Sequence, residues 1–171
     1  SCLEGDVSRL WLNENNLSGS IPTIISALAS LKRLSLYGNT LTGDIPIVIY
    51  DLTSLKALSL WGNQLTGTIS SSLGNLTNLE SLDSSINPLT GSVPVEIGLL
   101  TNLRHLELTL NQLSGNLPPE IGYLINLSGI FIEGNPNMTG TLPVEMASLT
   151  NLSSFFYTNT GLCAPTDPGF Q

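Results

Sequence analysis

Six asparagines, Asn15, Asn39, Asn63, Asn87, Asn111 and Asn135, recur at intervals of 24 residues. That interval restricts the chain to architectures made by stacking one small unit on the next. Each asparagine sits in the same frame, Leu-x-x-Leu-x-Leu-x-x-Asn-x-Leu-[Ser/Thr]-Gly-x-[Ile/Leu/Val]-Pro. One copy reads Leu31, Leu34, Leu36, Asn39, Leu41, Thr42, Gly43, Ile45 and Pro46. Six repeats fit the frame, and a seventh fits in part. The Leu-x-Leu alternation makes a short strand with one inward face. A lone strand cannot bury that face, so the core exists only where repeats stack. The recurring Asn falls at a turn where backbone groups lose their ladder partners, and an amide can both donate and accept there. Stacked copies therefore predict an asparagine ladder. The Gly permits a sharp turn. The following Pro, which has no N–H to donate, opens a short helical or 3₁₀ return segment on the convex side.

Composition sets the outer limits. With 171 residues, 41% of them hydrophobic and 11% charged, the chain can bury a substantial core as one domain or one repeat array. A disordered or fibrous chain is excluded. Thirteen acids against five bases give a formal charge of -8, which argues against nucleic acid as a partner because phosphate binding needs clustered Lys and Arg. Every hydrophobic run is interrupted well short of the roughly twenty apolar residues a membrane span requires. The chain begins at Ser1 without a signal-like apolar segment and reads as a mature or excised piece. No cofactor is implied.

The stretch Leu89 to Leu103, Leu-Thr-Gly-Ser-Val-Pro-Val-Glu-Ile-Gly-Leu-Leu-Thr-Asn-Leu, resembles the plant-specific class of leucine-rich repeats. That class is found in the ectodomains of receptor-like kinases and receptor-like proteins and in polygalacturonase inhibitors. The resemblance covers Val7 to Leu162. It implies a right-handed leucine-rich-repeat solenoid of the α/β horseshoe class, with a parallel β-sheet on the concave face and short 3₁₀ or helical returns on the convex face. Seven repeats are expected over residues 7–162, starting near Val7, Leu31, Leu55, Leu79, Leu103, Leu127 and Leu152. Residues 1–6 then look like the remnant of an N-terminal cap, and 163–171 like the start of a C-terminal one. Family caps usually hold paired cysteines. Cys2 and Cys163 are not expected to pair with each other, since seven strands about 4.8 Å apart span roughly 29 Å and a disulfide tolerates a Cα separation of about 7 Å.

The resemblance also implies a non-enzymatic binding module at the cell surface or in secreted form, with a peptide or protein ligand or a co-receptor as partner. Oligomeric state is not readable. Sequons at Asn16, Asn75, Asn126, Asn137 and Asn151 are possible N-glycosylation sites, although Asn-Leu-[Ser/Thr] belongs to the repeat itself.

Three departures from the frame stand out. Ser70 replaces the expected Pro, which predicts a looser start to that return segment. Ser84 takes an inward position that is Leu in most repeats, so its hydroxyl must be satisfied or repeat four is weakened. Asn137 adds a residue before Met138, which predicts a small bulge.

Strand neighbours alternate faces and equivalent positions stack, so the outward columns can be read directly. One column runs Trp11, Ser35, Ser59, Asp83, Glu107, Phe131 and Phe156; the next runs Asn13, Tyr37, Trp61, Ser85, Thr109, Glu133 and Thr158; an earlier one supplies Arg9, Arg33 and His105. Exposed Trp, Tyr and Arg are types enriched at binding hot spots. The candidate ligand-binding set is therefore Arg9, Trp11, Arg33, Tyr37, Trp61, Asp83, His105, Glu107, Phe131, Glu133 and Phe156. Asp83 and Glu107, about 5 Å apart on adjacent strands, are a conceivable acid-base pair with His105 nearby. An open shallow surface instead predicts ordinary solvated acids and a surface histidine. A stripe of Ser18, Thr42, Thr66, Thr90, Ser114 and Thr139 beside Ser20, Asp44, Thr68, Ser92, Asn116 and Thr141 supplies the alternative of an ice-binding or other surface-recognition protein, and a structural scaffold is a further one. Ile47, Val48 and Tyr50 form an apolar cluster on one return segment, read either as packing between repeats or as a partner surface.

Overall fold

The computed structural model describes residues 7–164. Seven strands, Arg9–Trp11, Arg33–Ser35, Ala57–Ser59, Ser81–Asp83, His105–Glu107, Gly129–Phe131 and Ser154–Phe156, pair in chain order into one parallel sheet. Each is three residues long. The middle residue of each strand points inward, so Leu34, Leu58, Leu82, Leu106 and Ile130 lie in register and are buried. The next inward column contributes Leu36, Leu60, Leu108 and Ile132. Six 3₁₀ segments, from Thr23–Ala27 to Val144–Ser148, return the chain along the opposite side, and their third residues, such as Ile49, Leu73, Ile97 and Ile121, close the core from there. The chain is thus a leucine-rich-repeat solenoid.

The asparagine ladder holds successive repeats together. Asn63 donates from Nδ2 to the carbonyls of Leu36 in the preceding repeat (3.0 Å) and Leu60 in its own (2.9 Å). Its Oδ1 accepts from the backbone N–H of Leu41 (3.0 Å). Asn87, Asn111 and Asn135 repeat this arrangement. These amides are buried, and each supplies partners to backbone groups that would otherwise be orphaned away from water. In repeat seven Thr160 fills the ladder place. Its hydroxyl donates to the carbonyl of Tyr157 (2.6 Å) and accepts from Leu162 N–H (3.4 Å).

A second line of strands runs along one flank of the solenoid, which the repeat frame did not announce. Ser18–Gly19, Thr40–Asp44 and Gln64–Thr66 form one three-stranded sheet; Ser114–Gly115, Asn137–Thr141 and Gly161–Cys163 form another. Between them, among the described residues, one isolated bridge joins Thr68 to Thr90. The interruption has a chemical cause. Thr40 N–H donates to Leu17 O and Gln112 N–H to Leu89 O, but Pro88 holds the equivalent place in repeat four and has no N–H.

One local expectation is corrected. The segment after Ser70 does not start loosely: Ser70 takes φ -67 and ψ 147, like the prolines elsewhere, and its side chain accepts from Ser72 N–H (3.1 Å). The extra residue before Met138 is taken up where the small bulge was expected: Asn137 pairs with Ser114, one residue further from the ladder than in repeat two, Met138 N–H donates to Asn135 O (3.1 Å), and Met138 is fully buried. Ser84 is buried, and its carbonyl accepts from both Asn87 and Asn111. The residue before each ladder position is left-handed. Gly38, Gly62 and Gly134 serve there, but so do Glu14, Ile86, Leu110 and Asn159, with φ between 53 and 55°; that conformation costs an L-residue about 1–2 kcal/mol. The expectations for Cys2, residues 1–6 and the tail from Pro165 lie outside the described residues, and Cys163 carries a free, exposed thiol.

Asn63→Ala should cost about 2 kcal/mol or more, because it leaves the buried Leu41 N–H without its acceptor and takes one of two amide donors from each of the Leu36 and Leu60 carbonyls. Asn15→Ala, at the exposed first position, should cost under about 1 kcal/mol. Urea unfolding of both variants checks the contrast, and equal losses would remove the ladder from its assigned role.

Candidate functional site

The concave face is built by the outward residues of these short strands, and the register brings the residues of each column side by side. Arg9 pairs with Arg33, Ser59 with Asp83, Asp83 with Glu107, Glu107 with Phe131 and Phe131 with Phe156. The arginine and aromatic candidates fall into three groups. Arg9, Arg33 and Trp11 are exposed toward the first strands, Trp11 to 58%. Tyr37 and Trp61 meet edge to face, with ring centroids 5.9 Å apart and planes at 63°. Phe131 and Phe156 stack at 5.3 Å and 10°. Gly129 makes that last stack possible, since a Cβ there would lie 2.7 Å from the Phe131 ring.

Asp83 and Glu107 do not behave as the solvated acids expected of an open face. With Tyr37, Ser59 and Trp61 they line a hollow of about 410 Å³. Both are half-buried. Burial raises the Asp83 carboxyl above its ordinary range, opposed by hydrogen bonds from Ser85, whose backbone N–H donates to Oδ1 at 3.0 Å. Glu107 is raised by burial and then by the Asp83 charge, with His105 acting in the other direction. His105 is exposed. Among the described residues the ion pair within 4 Å joins Lys56 to Glu80 (2.7 Å), away from this hollow on exposed side chains. That pair holds the Glu80 carboxyl below its usual range.

Sequence reading left Ser59 and Ser85 out of the candidate set. Ser59 lines the hollow. Ser85 fixes Asp83 from one side and accepts from Thr109 N–H on the other (3.1 Å). Their place in the outward columns was the available signal, but small hydroxyls carry none of the hot-spot character that drew attention to the aromatics. Glu133 is half-buried, and its Oε2 has no hydrogen-bond partner among the described residues.

Elsewhere the surface divides more simply. Tyr50 is buried in the core and its phenol is pushed up to about 12 by that burial, whereas Ile47 is 62% exposed and Val48 packs partly against the core. The hydroxyl stripe follows the lateral sheets, and part of it is already bonded internally: Thr66 donates to Asp44 (2.9 Å) and Thr90 to Gly67 O (3.0 Å). Among the sequons, Asn16, Asn75, Asn137 and Asn151 are exposed and Asn126 is half-buried. Asn126 and Asn151 donate their amides to the carbonyls of Thr101 and Ile125, each at 2.8 Å. No group of three or more potential metal ligands occurs among the described residues, and no helix among them is long and apolar enough to cross a membrane.

A stacked parallel sheet presenting aromatic and acidic columns on its concave side defines a leucine-rich-repeat surface. Leucine-rich-repeat family models match residues 6–65 and 102–124. The ectodomain of the plant membrane receptor kinase GASSHO1/SCHENGEN3 from Arabidopsis thaliana, solved with CASPARIAN STRIP INTEGRITY FACTOR 2, is similar at TM-score 0.88 and 36% identity, covering 90% of this chain and 18% of that one. The plant peptide hormone receptor RGFR1, in complex with RGF2, matches at 0.88 and 39% identity, covering 95% and 25%. The Arabidopsis receptor kinase HAESA, solved with the peptide hormone IDA and the co-receptor SERK1, matches at 0.76 and 29%, covering 95% and 32%. The chain thus spans a minority of the length of each. No curated protein matches it. The chain is a plant-type leucine-rich-repeat protein that resembles the ectodomains of plant receptor kinases.

The raised carboxyls of Asp83 and Glu107 set a pH dependence. The folded chain takes up these protons at a higher pH than the unfolded chain does, so the two groups favour folding at low pH and oppose it once pH rises through their folded pKa values. Asp83→Asn keeps an oxygen for Ser85 N–H and removes the buried charge. It should raise Tm at pH 7, with the advantage fading as pH falls to about 4, the ordinary carboxylate range. Thermal unfolding of both proteins across this interval checks it; a lower Tm for the variant at pH 7 would overturn it.

Proposed function

We propose that this chain is a non-enzymatic binding module that holds a peptide or protein partner along its concave face, as the ligand-binding part of a cell-surface receptor-like or secreted protein. The observation that carries this reading is the row of outward aromatics, with Trp11 58%, Trp61 38% and Phe156 48% exposed on one sheet face. The exposed part of each ring gains nothing from folding. A partner that covers it removes that remaining apolar area from water at small entropic cost. Two of the similar ectodomains were solved with CASPARIAN STRIP INTEGRITY FACTOR 2 and RGF2, and a third with a peptide hormone and a co-receptor, which supports a peptide or co-receptor as the partner class. Extracellular placement rests on the same likeness.

A variant with Trp11, Tyr37 and Trp61 all changed to Ala, shown by circular dichroism to be folded, should lose a partner that the wild-type chain captures from extracellular fluid or a membrane fraction. An identical set of captured proteins would reject the concave face as the binding surface. For the extracellular assignment, expression in a eukaryotic secretory host should give glycan at the exposed Asn75, whose side chain is clear of the ladder; a peptide map with none of the five sequons occupied would count against secretion.

A further inference from the structure

Resting on that concave-face reading, we propose that the hollow bounded by Tyr37, Ser59, Trp61, Asp83 and Glu107 is a subsite for an organic nitrogen cation of the bound ligand, supplied by an arginine or lysine side chain or by a free peptide amino terminus. Asp83 and Glu107 are paired in register on adjacent strands, about 4.8 Å apart along the sheet. Like charges set directly opposite each other on a sheet destabilise it. The protein leaves this repulsion in place: among the described residues neither acid has a counter-ion within 4 Å, and the ion pair there engages Lys56 and Glu80 instead. His105, exposed one position along the face from Glu107 in the same strand, is the basic group that acts on it.

The remaining walls select the kind of cation. Trp61 and Tyr37 meet edge to face beside the acids. Ring faces attract ammonium and guanidinium groups that have shed part of their water. A hard divalent ion would need six or more oxygen ligands, and two carboxylates with the Ser59 and Tyr37 hydroxyls leave it partly hydrated against rings that cannot replace that water. A guanidinium or ammonium has the opposite fit: its N–H groups reach the carboxylates while its apolar stem lies along the indole. The hollow is shallow and open to solvent, so such a side chain can lie along it without being enclosed. The overall charge of -8 steers cations toward the chain from a distance.

The test uses ¹⁵N-labelled protein at low salt and four probes: capped arginine amide, capped lysine amide, glycine amide for the free amino terminus, and capped citrulline amide as the neutral shape match of arginine. Saturable shifts of the Trp61 indole N–H and the backbone amides of Asp83, Ser85 and Glu107 are expected with a cationic probe and not with citrulline. The tightest of the three cations names the source. Asp83→Asn with Glu107→Gln should weaken that probe at least about tenfold, and Trp61→Leu should also weaken it in a protein whose acids are intact. Citrulline shifts equal to those of arginine, wild-type affinity in the double-acid variant, or no saturable shift with any cation would each overturn the subsite. The double-acid variant is also used as bait beside the aromatic triple variant. A partner lost from the triple but captured at wild-type level by the double overturns the cation subsite and leaves the concave-face reading standing.

Discussion

A single side-chain amide, repeated and buried, makes every other feature of this molecule possible. Three-residue strands cannot hold a sheet together on their own hydrogen bonds, and a turn every 24 residues strands carbonyls and N–H groups in the interior. The ladder of Asn39, Asn63, Asn87, Asn111 and Asn135 resolves both problems. Each amide bonds its own turn and the turn before it, so neighbouring repeats are joined by polar contacts aligned with the apolar ones. Stability in such an array is close to a sum of repeat and nearest-neighbour contributions. The amides and leucines fix the register on which the outward side chains stand.

That division of labour explains why the concave face can tolerate arrangements that a globular core would not. Asp83 and Glu107 sit opposite each other, partly shielded from water, because the backbone register places them there. The leucines beneath hold that register whatever stands above. Ser85 secures one carboxylate through its backbone N–H, and the Tyr37–Trp61 pair forms the adjoining wall. Rigid neighbours with unsatisfied electrostatics are a form of preorganisation, in which the cost of assembling like charges is met during folding rather than during binding.

Much of this was legible in the chain before any coordinates. The interval between asparagines and the Leu-x-Leu alternation specify the stacked parallel sheet, the 3₁₀ returns and which residues share a column, because one frame recurs often enough to outweigh local ambiguity. Other features depended on what a periodic reading averages away. Pro88 occupies a variable position of the frame, so its missing N–H and the resulting break in the lateral sheet became visible only once that sheet itself was seen. Thr160 stands in for Asn by chemistry rather than by identity. The desolvation of Asp83 arises from neighbours on other strands, and no single repeat contains it. Ser70 shows the converse: a departure that reads as weakness in sequence is compensated by its own hydroxyl.

The left-handed residue ahead of each ladder position has a further consequence. The backbone there demands a conformation and leaves the side chain open, so Gly38 and Gly62 are replaced in later repeats by Ile86 and Leu110 at modest energetic cost. Those two residues are 40% and 55% exposed and follow Asp83 and Glu107 by three positions in their repeats. A position that is conformationally fixed yet chemically free lets a lineage rewrite its contact surface one repeat at a time, altering what is recognised without disturbing the register that does the recognising.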